Sequence, residues 1–129
     1  MILDTSALAA IFFGEPEAEH FTKIIHDADS CSISAVNFVE LFMVIEGQIG
    51  AEAAQQTEMY FERARIVVEP VSVEQARIAR QAFRDYGRGR HKASLNFGDC
   101  FAYAMSKVTG EPLLFKGDDF RKTDIIAAA

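Results

Sequence analysis

The sequence predicts an α/β fold, a central and mainly parallel sheet flanked by helices on both faces. Short apolar runs at 1–4, 31–34, 66–68 and 113–115 alternate with longer stretches whose apolar residues recur at helical spacing. Strands joined through helices pair in parallel and are covered on both sides. The size agrees: 129 residues make one domain, 1–129, with one shared core. Half the residues are hydrophobic, enough to offset the entropy of ordering the chain.

Met1 to Asp4 is a brief apolar strand closed by an acid, and Thr5 or Ser6 can cap a helix over Ala7 to Phe13. Gly14 and Pro16 end that helix. Pro16 suits the first turn of a second, in which Ala18, Phe21, Ile24 and Ile25 form an apolar stripe to about Asp27. Cys31 to Ser34 alternates and reads as a buried strand. Helical patterns follow from Ala35 to Gly47 and, after a glycine-marked break, from Ile49 to Ala64. Ile66, Val67 and Val68 form a β-branched strand stopped by Pro70, and Val73 to Tyr86 is a helix with Ala76, Ile78 or Ala79, and Phe83 inward. Tyr86 to Asn96 holds two glycines and little apolar content, so a loosely ordered loop is expected. Phe97 to Val108 is helical up to Gly110, and Pro112 introduces a last strand at Leu113 to Phe115.

Composition excludes several functions. No apolar stretch approaches the roughly 20 residues of a bilayer span, so no membrane association is expected. No basic stretch precedes an apolar run at the start, so no signal peptide is read and a cytoplasmic location is expected. Cys31 and Cys100 lack CxxC spacing and read as buried free thiols, and His20, His26 and His91 lack zinc-ligand spacing. A net charge of −6 argues against a surface that binds nucleic acid throughout, though a local basic patch remains open.

The chemistry lies in the acids. Asp4 ends the first strand, Glu40 interrupts an apolar helix three residues after Asn37 and on its face, and Asp99 opens a helix among apolar neighbours. Asp118 and Asp119 follow the last strand after Gly117. Taken singly, Glu40 could be a satisfied structural carboxylate, Asp99 a helix cap, and Asp118 and Asp119 a turn. Together they reach one region, the carboxyl ends of parallel strands, from different segments. Clustered carboxylates repel, and a hard divalent cation, Mg²⁺ or Mn²⁺, relieves the repulsion. Such an ion acidifies a bound water and offsets charge on a phosphate, which points to phosphodiester hydrolysis. Arg84, Arg88, Arg90, His91 and Lys92, close to Tyr86 and Phe97, could receive a polyanion, and Ser6 could add a hydroxyl near the acids. Two rivals stay open: an aspartyl-phosphate enzyme built on Asp4, and a phenylalanine-rich interaction module whose acids are structural.

Four segments, Ile2 to Leu8, Asn37 to Glu40, Asn96 to Cys100, and Leu113 to Phe120 with Thr123 to Ile125, stand in an order that resembles a PIN domain. More narrowly, they resemble the VapC toxins of VapBC toxin–antitoxin systems. The resemblance implies a PIN fold and a metal-dependent endoribonuclease toxin, a homodimer neutralised by a VapB-type antitoxin. It implies that Asp4, Glu40 and Asp99 ligate Mg²⁺ or Mn²⁺ and that Asp118 or Asp119 is the fourth acid, Asp118 being favoured beside the glycine turn. Ser6, Arg88, Arg90 and Lys92 are the expected RNA contacts.

Overall fold

The computed structural model describes all residues, Met1–Ala129. Its four strands, β1 (Ile2–Leu3), β2 (Cys31–Ser34), β3 (Ile66–Glu69) and β4 (Leu113–Leu114), form one parallel sheet in the order β3-β2-β1-β4. Six helices connect them: α1 (Thr5–Phe12), α2 (Ala18–Asp27), α3 (Ala35–Gln48), α4 (Ala51–Ala64), α5 (Val73–Tyr86) and α6 (Phe97–Thr109).

Strand alternation divides the core into two layers. Ile2 and Leu113 pack with α5 and α6, burying Ala79, Ala82, Ala102, Tyr103 and Met105. Leu3, Ile33, Ile66 and Leu114 face the other way against α1 to α4, burying Leu8, Phe21, Leu41, Ile45 and Phe61. Both faces are therefore covered, as the alternating pattern predicts. The chain passes from β1 outward to β2 and β3, then returns to place β4 on the other side of β1. That reversal puts the end of β1 at a topological switch point, where parallel sheets leave a crevice.

Local details differ from the sequence expectation. Asp4 itself caps α1, accepting the Ser6 N–H, so neither Thr5 nor Ser6 is the cap. Pro16 lies ahead of α2. Gly47 stays helical and the break falls at Gly50, whose φ of 109° a side chain would strain. On α5 the buried positions are Gln75, Ala79 and Ala82, while Phe83 is 39% exposed.

The largest departure is the segment 87–96, which is well ordered. Arg88 and Leu95 exchange backbone hydrogen bonds with the α5 end, Leu95 N–H reaching Tyr86 O and Arg88 N–H reaching Leu95 O, both at 2.9 Å. Ala93 and Leu95 are fully buried. Two apolar anchors spaced by one residue suffice to pin a loop whose mean composition is polar. Cys31 and Cys100 are free, buried thiols, both pushed up by burial, Cys100 to about 11. No helix is long and apolar enough to cross a membrane.

Candidate active site

Asp4 leaves β1 with its N–H bonded to Leu114 O at 2.9 Å, so the backbone that carries it is part of the sheet ladder. Its side chain is buried, and Oδ2 accepts from both Ser6 N–H (3.0 Å) and Ser6 Oγ–H (2.5 Å). Ser6 Oγ in turn accepts the Lys116 N–H at 3.0 Å, linking the ends of β1 and β4. Burial chiefly raises the Asp4 pKa to about 7; the Asp99 charge adds to the rise and Glu40 contributes less, while the Ser6 bonds oppose it.

Glu40 stands on α3, the helix that follows β2. Its Oε1 accepts from Thr5 Oγ1 at 2.5 Å and from Asn37 Nδ2 at 3.3 Å. Gly98, on the first turn of α6, lies directly against the same carboxylate: a Cβ there would sit 2.2 Å from Glu40 Oε2. Only glycine leaves room for that approach.

Asp99 is part of a capping box. Asn96 Oδ1 accepts the Asp99 N–H at 2.9 Å and Asp99 Oδ2 accepts the Asn96 N–H at 3.0 Å. Burial chiefly raises Asp99 to about 6; the Asn96 N–H opposes this, Glu40 and Asp119 add to the rise, and Arg88 lowers it. The cap and the site are therefore the same carboxylate.

Asp4, Glu40 and Asp99 thus converge within range of each other's charge, and none of them forms an ion pair with Lys or Arg. Each commits one oxygen to protein donors and leaves the other, Asp4 Oδ1, Glu40 Oε2 and Asp99 Oδ1, without a protein partner. Those oxygens keep access to solvent, since the one sealed unpaired side-chain atom is Asn37 Oδ1. Oriented carboxylates with a free oxygen apiece suit a hard divalent cation. No three His, Cys, Asp or Glu side chains are drawn into a finished coordination shell.

The two candidates for a fourth acid, Asp118 and Asp119, have different surroundings. Asp119 is the one whose charge reaches Asp99. Asp118 lines a flank cavity of about 300 Å³ with Glu17, His20, Lys116 and Arg121. Lys116 is held there by Glu15, with Glu17 at 3.6 Å, away from the acids. Among the basic residues, Arg88 is exposed and acts on Asp99, whereas Arg90 lies over the Phe83 ring at 5.4 Å and Lys92 is exposed with no ion-pair partner.

The PIN domain profile matches residues 1–126. This chain is a PIN-domain protein. Ribonuclease VapC of Mycolicibacterium smegmatis is 44% identical over 127 residues, 98% of either chain, which places this chain among the VapC ribonucleases. Among solved structures, Mycobacterium tuberculosis VapC20, described as a Sarcin-Ricin loop cleaving toxin, aligns with a TM-score of 0.79 at 16% identity, covering 97% of this chain and 95% of that one. A toxin–antitoxin complex from Klebsiella pneumoniae aligns at 0.75 and 17% identity, covering 99% and 97%. At those identities the structures establish the shared fold.

In this PIN domain, Thr5, Asn37 and Gly98 support or make room for Glu40, and of these the sequence singles out only Asn37. Thr5 follows Asp4 directly, Asn37 precedes Glu40 by one helical turn, and Gly98 precedes Asp99. The Asn37 to Glu40 spacing was the visible signal, because a polar pair on an apolar helix face has to satisfy itself.

Proposed function

We propose that this PIN-domain protein is a metal-dependent endoribonuclease toxin that uses Mg²⁺ or Mn²⁺, with Asp4, Glu40, Asp99 and Asp119 as the ion-holding acids. The observation that supports it best is the convergence of Asp4, Glu40 and Asp99 at the switch point with none of them ion-paired to Lys or Arg. When bound, the ion supplies a more acidic water and offsets the charge of the phosphate under attack. Asp119 is preferred over Asp118 because its charge is felt at Asp99.

The chain's own groups orient the rest. Ser6 holds Asp4, Thr5 and Asn37 hold Glu40, and the capping box holds Asp99, so the free oxygens are aimed before substrate arrives. Arg88 is the basic residue placed to meet a phosphate beside Asp99, with Arg90 and Lys92 further along the same loop. RNA as substrate follows from the ribonuclease relatives, and a VapB-type antitoxin partner and a cytoplasmic location go with that reading. Self-association through α3 and α6 is supported by Val39, Met43 and Phe97, which are 55%, 70% and 72% exposed around an apolar groove.

The test is incubation of purified protein with total cellular RNA and Mg²⁺ or Mn²⁺. Discrete fragments that vanish with EDTA and with Asp4→Asn are expected. Fragments that persist in either control would overturn the metal reading.

A further inference from the structure

We propose that Asn37 is a positioning residue for the acid centre, an amide that clamps α3 to α6 and so sets how Glu40 stands relative to Asp99. This rests on the metal reading above. Asn37 is fully buried, and its Nδ2 donates to Gly98 O at 3.0 Å and to Glu40 Oε1 at 3.3 Å. One amide group thereby joins the helix that carries Glu40 to the first turn of the helix that carries Asp99.

The chemistry fixes the amide's orientation. A flipped amide would set Oδ1 against a carbonyl and a carboxylate, acceptor against acceptors. The observed orientation leaves Oδ1 as the one sealed side-chain atom without a partner, a state that costs free energy. Packing alone does not ask for this, since the other buried positions of α3 are Leu41 and Ile45. The amide serves for where it puts Nδ2. Gly98 reinforces the point, because the residue whose carbonyl Asn37 grips is the one whose missing Cβ admits the Glu40 carboxylate.

The experiment uses the full chain and Mn²⁺ itself, with calorimetric titration and thermal melting of wild type, Asn37→Leu, Glu40→Gln and the double variant. Asn37→Leu keeps the branching at Cγ and removes the donor, with bulkier methyl groups in a sealed site. It is expected to stay folded in EDTA, melting in one cooperative transition, yet to bind Mn²⁺ roughly 10- to 100-fold more weakly, the usual cost of losing an outer-shell partner. RNA cleavage should lose kcat by the same order with KM unchanged, and the double variant should bind Mn²⁺ no worse than Glu40→Gln. Wild-type Mn²⁺ affinity in Asn37→Leu, or additive losses in the double variant, would overturn the proposal while leaving the metal reading intact. A wild-type protein that binds no Mn²⁺ would overturn both. Should Asn37→Leu fail to fold, Asn37→Ala and Asn37→Ser carry the same comparison.

Discussion

Replacing Asp4 by Asn should make the metal-free protein more stable at neutral pH. The Asp4 carboxyl sits near its ordinary value of 3.8 in the unfolded chain and at about 7 in the fold, raised by burial and by Asp99. Between those values the folded state holds a proton that the unfolded chain has released, so stability falls as pH rises through the window. Below about pH 4 the carboxyl is neutral in both states and costs nothing. Above pH 7 the full cost applies, on the order of 4 kcal/mol at about 1.36 kcal/mol per pH decade. Asn retains an oxygen for the Ser6 donors and ranks with Asp as a helix cap, so the α1 cap survives the change. Urea unfolding in EDTA at pH 8 should therefore show Asp4→Asn more stable than wild type by about 2–4 kcal/mol, or roughly 10 °C in Tm, with the gap closing below about pH 4. Mn²⁺ should then stabilise wild type and not the variant. A variant less stable at pH 8, or one with the same difference at both pH values, would refute the reasoning.

Gly98→Ala places a Cβ 2.2 Å from Glu40 Oε2, and the carboxylate end must swing away. Denaturation should show a loss of about 1 kcal/mol, because the obstacle is the end of a flexible side chain, while cleavage falls at least about tenfold. Arg88→Ala should raise KM for RNA and reduce the salt slope of binding by about one, whereas Arg90→Ala, whose guanidinium rests on Phe83, should change both less; salt titrations of RNA binding decide this. Asp119→Asn should weaken Mn²⁺ binding more than Asp118→Asn, as read by calorimetry, and the reverse order would return the fourth position to Asp118.

The sheet and its helices were legible because each element announces itself locally. Gly14 and Gly110 are terminators with clear signatures, and the apolar periods at 31–34 and 97–108 admit one reading, whereas the caps Asp4 and Asn96 emerge only in the structure. The order of the 87–96 segment is not legible in the sequence because its buried anchors are only Ala93 and Leu95, and a two-residue apolar signal is lost among charges. Hydrophobicity predicts Phe83 inward, whereas Ala79 and Ala82 are the buried positions against α6 and Phe83 lies at the rim, 39% exposed, beside Phe97 and Phe101. At the site, the acids are visible because they break apolar patterns. Their supports are not, since the contacts of Thr5 and Asn37 with Glu40, and of Asn37 with Gly98, depend on how three helices meet. Its place beside Gly117 favours Asp118 in the sequence, whereas the proposal of Asp119 draws on its charge at Asp99, which depends on the turn into the short 3-10 helix Phe120–Lys122.

The most direct test of the central claim is anomalous diffraction from Mn²⁺-soaked crystals of the wild-type protein. The account predicts a peak at the end of β1, at ordinary hard-cation distances of about 2.0–2.2 Å from at least two of Asp4 Oδ1, Glu40 Oε2 and Asp99 Oδ1. Crystals with Mn²⁺ bound elsewhere, or with no peak among these acids at saturating Mn²⁺, would contradict it.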